Sequence, residues 1–281
     1  MKKFLRIIYS NLPLKKYVFY ILRNNFRIKE NFYKHLWFEG FFSTNYLNKK
    51  FFIYSLPTII ENEIFWNGLG KTWEPLSVRI WTEIVRKKKI IFDIGANTGI
   101  YSLLSCAFNR KASIYAFEPN HNFIKAISKA KNKNEFNIKV NDFALSNKNG
   151  TVHFDGYQIK KKQNLNKIKT IRLDNFIENN KIQSIDLIKL DVELHEVHVV
   201  KGMGKYLKKY RPDFLIEVLD NNIAKKLNYL FKNLGYNYVS IDDKKIKLKK
   251  LKRIEKSPFY NVLICKKETY EIIKKKFKKL F

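Results

Sequence analysis

The chain has 281 residues, 45% of them hydrophobic and 29% charged, with a formal net charge of +31. That is enough apolar material for a sizeable core and excludes an intrinsically disordered chain. The two cysteines, Cys106 and Cys265, exclude a disulfide framework and a C-x-x-C metal site and fit a reducing cytosol.

The charge suits a polyanionic partner, nucleic acid or an anionic membrane. Lysine, asparagine and isoleucine are all abundant and all have A/T-rich codons, so coding bias is favoured over selection as the source of a solvated lysine surface. Apolar runs are cut by lysine or arginine well before the roughly 20 residues that a spanning helix needs. Lys2 and Lys3 resemble a basic leader, but Arg6, Lys15 and Lys16 interrupt the apolar stretch and no small-residue cleavage site follows. The expected location is the cytoplasm, with peripheral contact at the inner face of an anionic membrane left open. Oligomeric state is not legible.

Residues 1–85 read as a basic, aromatic and mostly helical extension, and residues 86–281 as the main domain with a basic C-terminal helix. Up to about residue 50, Phe4, Leu5, Ile7, Ile8, Tyr9, Tyr17, Phe19, Tyr20 and Leu22 stand among lysines and arginines as short helices, which pack on the domain or lie in a membrane interface. Trp66-Asn67-Gly68-Leu69-Gly70 reads as a turn. Trp73-Glu74-Pro75 opens a helix through Val78, Trp81 and Val85.

Ile90, Ile91, Phe92 and Ile94 form the run expected of a strand buried on both faces, and Ile100, Leu103, Leu104 and Ala107 follow at helical spacing. Between them Gly95 and Gly99 permit backbone angles that a Cβ forbids and let a ligand approach the main chain. Asp93 and a turn that is not G-x-G-x-x-G argue against a dinucleotide. A carboxylate there repels pyrophosphate and suits a cation such as the α-amino group of S-adenosylmethionine. A second strand, Ser113 to Phe117, ends in Glu118-Pro119, about 20 residues beyond the turn, where an acid accepts ribose hydroxyls.

Phe123, Ile127 and Ala130 mark the next helix and Ile138 to Asn141 a third strand. Asn141 and Asp142 fall where an adenine would lie, though Asn-Asp is equally a surface turn. The run Thr151 to Phe154 and the lysine-rich loop 160–169 interrupt the alternation. Ile185 to Leu190 is a fourth strand, Val197 to Leu207 its helix, and Phe214 to Val218 a fifth strand. Ile223, Leu227, Leu230, Phe231 and Leu234 share one helical face before Tyr236 to Ile241 and Tyr260 to Cys265, two strands joined by a basic loop. The expectation is a doubly wound α/β sheet, mostly parallel with a terminal antiparallel strand. In the last stretch, Tyr270, Ile273, Phe277 and Leu280 face one side and lysines the other, a helix suited to docking on protein or on anionic lipid.

The segments Phe92-Asp93-Ile94-Gly95-Ala96-Asn97-Thr98-Gly99, Ala116-Phe117-Glu118-Pro119-Asn120, Ala144-Leu145-Ser146, Leu187-Ile188-Lys189-Leu190-Asp191-Val192-Glu193 and Val200-Lys201-Gly202 resemble the successive motifs of FkbM-type S-adenosylmethionine-dependent methyltransferases. The likeness covers roughly 73–240. Asn97 in place of a middle glycine is typical of that family. The chain departs from it at Glu193-Leu194-His195-Glu196, where the family usually has Glu-Gly-x-Glu. The resemblance implies that the helix opening at Glu74 closes over the cofactor, making Glu74 a cofactor or substrate contact, and that the acceptor is a sugar or other hydroxylated metabolite of glycan or lipopolysaccharide synthesis.

Methyl transfer to a hydroxyl needs a base close to the acceptor. Asp191, Glu193, His195 and Glu196 leave the C-terminal end of the fourth strand, where open α/β sheets bind ligands. Asp191 is the first choice, Glu193 and His195 are alternates, and Lys189 is placed to orient the acceptor; capping of the next helix is the plainer role. Asp191, Glu193 and Glu217 have oxygen ligands that would suit Mg²⁺ or Ca²⁺, but no spacing demands a metal and none is assigned. The Asn/Asp-Pro-Pro-aromatic run of base-amine methylation is absent, which favours oxygen. Two other classes stay open: RNA methylation or binding, supported only by charge so that nucleic acid is disfavoured, and a noncatalytic membrane-associated scaffold.

Overall fold

The computed structural model describes residues 14–156, 159–160, 166–259 and 261–281. Phe4, Leu5, Ile7, Ile8 and Tyr9, residues 161–165 of the lysine-rich loop, and Tyr260 lie outside the described residues. The chain opens with α1 (Lys15–Asn25), α2 (Glu30–Tyr33), β1 (Gly40–Tyr46), β2 (Lys49–Ser55), α3 (Ile59–Asn67) and α4 (Pro75–Val85). The β1–β2 hairpin occupies a stretch expected to be helical. Leu47 and Asn48, both with positive φ, close it by a two-residue turn whose twist matches that of the strands. Phe42 and Thr44 stand opposite Ile53 and Phe51, and all four are buried.

The alternation then runs β3 (Ile90–Ile94), α5 (Ile100–Phe108), β4 (Ser113–Phe117), α6 (His121–Lys133) and β5 (Ile138–Asn141). It is interrupted by β6 (Ala144–Ser146), β7 (Gly150–Phe154), β8 (Ile159–Lys160) and β9 (Asn166–Arg172), which form their own sheet in the order β6-β9-β7-β8, followed by α7 (Leu173–Asn179). It resumes with β10 (Leu187–Leu190), α8 (Glu196–Gly202), α9 (Lys205–Tyr210), β11 (Asp213–Glu217) and α10 (Asn221–Phe231). The chain ends in β12 (Asn237–Asp242), β13 (Lys247–Leu251), β14 (Asn261–Cys265), α11 (Lys267–Lys276) and a 3₁₀ turn.

The main sheet has the order β13-β12-β14-β11-β10-β3-β4-β5. Strands β3, β4, β5, β10 and β11 are parallel, and β14 runs antiparallel to both β11 and β12. This is the expected doubly wound α/β plan. Its strand order reverses between β3 and β10, so a crevice opens beyond their C-terminal ends.

Each central strand feeds two cores. Ile91, Leu187 and Leu215 face one, while Phe92, Ile188 and Phe214 face the other. The first core also holds Phe42, Phe65, Trp66, Val78 and Trp81, so apolar packing runs across residue 85. Two elements differ from the expected course. The basic loop after β12 contains β13, an edge strand whose Leu248 and Leu251 are buried while its lysines guard the edge. The helix after β10 breaks into α8 and α9 at Gly204, whose φ is +51°. Tyr270 and Ile273 of α11 and Phe277 just beyond its end are buried in the first core, with the Arg79 guanidinium over the Phe277 ring, so this apolar face meets protein. Among the described residues no helix is long and apolar enough to cross a membrane.

Candidate active site

A cleft of about 280 Å³ lies beyond β3 and β10 and is lined by Glu74, Asp93, Gly95, Asn97, Glu118, Lys189, Asp191, Glu193 and His195. The turn after β3 approaches the end of β10 so closely that a Cβ on Gly95 would stand 1.8 Å from the Asp191 carbonyl oxygen. Asn97 has φ +51°, a left-handed conformation that Asn tolerates, and its Oδ1 accepts the Thr98 amide at 2.8 Å. Gly99 (φ +86°) packs against Ile127, leaving it outside the cleft lining.

Glu118 clamps this turn to β4: one carboxyl oxygen accepts the Asn97 amide at 2.8 Å and the other the Asn120 amide at 2.8 Å. Burial nevertheless pushes its carboxyl up to about 8. Asp93 accepts the Ser102 hydroxyl at 2.6 Å, and burial pushes it up to about 6 against the pull of Ser102 and Lys189. Behind the turn, the Thr98 hydroxyl donates to Glu61 of α3, an entirely buried carboxyl raised by burial to about 7.

Glu74 does not serve as the cap of α4. The first amides of that helix, those of Leu76 and Ser77, donate to Asp243 at 2.7 and 2.9 Å. The Glu74 carboxyl instead accepts the Tyr101 hydroxyl, and burial, with Asp191 adding to it, raises it to about 7. Asn141 and Asp142 stand outside the lining. The Asn141 amide donates to the Ala116 carbonyl at 3.1 Å, and Asp142 is exposed; Ala144 and Leu145 line the cleft next to them.

The opposite wall is made of charge. Lys189 is 1% exposed, with its ammonium 2.9 Å from Asp191 Oδ2 and 5.1 Å from the Tyr101 ring centre. Burial lowers its pKa, but Asp191, Glu74 and Glu217 outweigh that and raise it. Burial and the Asp191 charge push the Glu217 carboxyl well above the usual carboxylate range, and its Oε2 is buried without a hydrogen-bond partner. Glu193 and Leu194 have φ +52° and +76°. The leucine therefore occupies the left-handed conformation for which the resembling motif uses glycine, held by Glu196 Oε1, which accepts the Val192 and Leu194 amides at 3.3 and 3.2 Å. His195 Nε2 lies 2.9 Å from the Ser146 hydroxyl and its ring stacks on His198; burial and His198 push it down to about 4, so the imidazole is neutral. A Cβ on Gly202 would lie 2.0 Å from the Ser146 carbonyl oxygen, which explains the glycine that ends the last motif.

Sequence reasoning missed Glu61, Tyr101, Trp73, Phe154 and Ile168, the last four of which line the cleft. Tyr101 follows the glycine turn by two residues, which is a usable signal; Glu61 has none. Among the described residues no cluster of three or more histidines, cysteines or acids is arranged to hold a metal ion.

The sequence profile described as "Methyltransferase FkbM domain" matches residues 93–238. Hexuronic acid methyltransferase AglP of Haloferax volcanii is 25% identical over 158 residues, covering 54% of this chain and 65% of that protein. Among solved structures, methyltransferase FkbM from Methylobacillus flagellatus KT is similar with a TM-score of 0.45 and 15% identity, over 64% of this chain and 44% of that one. The 16S rRNA N2 G1207 methyltransferase RsmC of T. thermophilus, solved with AdoMet and guanosine, has a TM-score of 0.46 and 13% identity, over 81% of this chain and 50% of that one. The chain thus spans 65% of the curated relative and half or less of these two solved chains.

Proposed function

Because the chain belongs to the FkbM methyltransferase family, whose profile matches residues 93–238, we propose that it methylates a glycan with S-adenosylmethionine as donor, on a hydroxyl of a hexuronic acid or similar sugar. The donor supplies an electrophilic methyl group on a sulfonium. Asp93 meets its ammonium and Glu118 its ribose hydroxyls; each Glu118 oxygen keeps acceptor capacity after taking one backbone amide. Gly95 and Asn97 bring bare backbone to the same pocket.

The observation that carries the hydroxyl reading is the pair of Asp191 and Glu217 at the adjacent ends of β10 and β11. Lys189 stands against this pair, with its ammonium 2.9 Å from Asp191 Oδ2. Asp191 accepts the proton that the acceptor hydroxyl loses as its oxygen takes the methyl group, leaving S-adenosylhomocysteine. Lys189 lies beside Asp191 and Glu74 throughout that transfer. Lys189 holds Asp191 in place, while Glu193 and neutral His195 line the acceptor side.

The test uses methyl-labelled donor with hexuronic acid glycosides, amine acceptors and RNA offered separately. The expected product is an alkali-stable methyl ether on the glycoside. Alkali-labile label would place the methyl on the uronate carboxylate and remove the base role from Asp191. Label on amine or RNA alone would overturn the reading.

A further inference from the structure

Helix α1 carries apolar side chains on two faces. Phe19 is buried against Phe38 and Trp66, and Arg23 donates to the Phe65 carbonyl at 2.8 Å, which fixes the inner face on the first core. The outer face is bare: Leu14, Tyr17, Val18 and Ile21, spaced i, i+3, i+4, i+7, are 69%, 62%, 46% and 61% exposed. Nothing in the described chain covers this stripe.

Charge says what covers it. Between residues 14 and 36, Lys15, Lys16, Arg23, Arg27, Lys29 and Lys34 stand against one acid, Glu30. At the C-terminal end of the stripe a second cleft is lined by Arg23, Asn24, Asn25, Arg27 and Lys71, with Phe26, 60% exposed, among them. On α3, Glu63 bonds Thr72, which lines that cleft. An exposed apolar stripe ending in a cationic, amide-lined cleft matches a surface that offers acyl chains and phosphates together. Nucleic acid would leave the apolar stripe in water.

We propose that the outer face of α1 docks on an anionic lipid bilayer, with Tyr17, Val18 and Ile21 entering the interface and Arg27 and Lys71 meeting lipid phosphates. The C-terminal helix α11 makes the contrast, since its apolar face is already buried. The docking surface does not depend on which acceptor is methylated.

Flotation of the full chain with vesicles of phosphatidylcholine alone, or with phosphatidylglycerol added, tests the proposal. Binding to the anionic vesicles is expected, with a fall of at least about tenfold for Tyr17→Ser/Val18→Ser/Ile21→Ser and a smaller fall for Arg27→Gln/Lys71→Gln. The triple variant should keep its melting temperature and its S-adenosylhomocysteine affinity. No binding by the full chain, or equal binding by the triple variant, would overturn the proposal. So would a lower melting temperature with unchanged vesicle binding, which would mean that residues 1–13 cover the stripe. Dissociation of a dimer by the triple variant, again with unchanged vesicle binding, would assign the stripe to a second copy.

Discussion

On the β3–β4 side of the cleft, side chains serve the backbone: Glu118 ties two amides together, Asn97 holds a left-handed turn, and Gly95 lets two strand ends touch. On the β10–β11 side the backbone serves the side chains. The pairing of β10 with β11 brings Lys189, Asp191 and Glu217 to one end of the sheet, and a strained pair, Glu193 and Leu194, carries the chain on from there. In the proposed function the first wall receives the donor and the second takes the proton. Substitutions should therefore act on fold and donor binding in one wall and on turnover in the other.

The largest effect should come from Gly95→Ala, which forces a methyl group into the Asp191 carbonyl at a positive φ. A loss above about 3 kcal/mol, read as failure to accumulate or as a collapse in thermal melting, is expected. Gly40→Ala, also at positive φ but with open space around its Cβ, should cost only about 1 kcal/mol. Equal effects would erase the close approach as a design feature.

Next comes Asp191→Asn, which should lower turnover of a hydroxyl acceptor by about 10²–10⁴-fold. Glu193→Gln and His195→Ala in parallel decide the assignment. A large loss in either, with near-normal turnover in Asp191→Asn, would move the base to that neighbour.

The pH response reads both walls together. Glu61, Glu74, Asp93, Glu118, Glu196 and Glu217 are all held up, between about 6 and about 9. The folded chain then binds more protons than the unfolded one between roughly pH 4.5 and 9, so stability falls as pH rises through that window. The melting temperature of the free protein should be lower at about pH 8.5 than at about pH 6, and the slope shallower with saturating S-adenosylhomocysteine, whose ammonium favours charged Asp93. A flat profile would mean that these acids are not desolvated.

The smallest effect tests the strained loop. Leu194 is half exposed, so Leu194→Gly gives up little packing and relieves a left-handed leucine, for a gain of about 0.5–1 kcal/mol in a denaturant melt. A loss instead would show that the leucine packs in a way that offsets its conformation.

The first wall was legible in the sequence because it is local: strand, glycine turn and helix follow one another, and Asp93 and Glu118 end neighbouring strands. The second was legible only as a cluster of acids. Part of the upward push on Glu217 comes from Asp191, which follows a different strand, and the capping of α4 by Asp243 joins residues 167 apart. The pairing of Glu74 with the Tyr101 hydroxyl at the cleft wall joins residues 27 apart and was equally hidden. Strand β13 was hidden by its lysines, with Leu248 and Leu251 as its buried residues. The β1–β2 hairpin was hidden in an aromatic and basic stretch, its turn carrying Leu47 at a position where glycine or asparagine would have announced it.

The division of labour between the walls is tested most directly by calorimetric titration of S-adenosylhomocysteine into the wild type, Glu118→Ala and Asp191→Asn. The expected result is a Glu118→Ala affinity weaker by about 1–3 kcal/mol, the scale of two lost hydrogen bonds of about 0.5–1.5 kcal/mol each, beside an Asp191→Asn affinity close to that of the wild type. An unchanged affinity in folded Glu118→Ala, with the loss in Asp191→Asn instead, would contradict it.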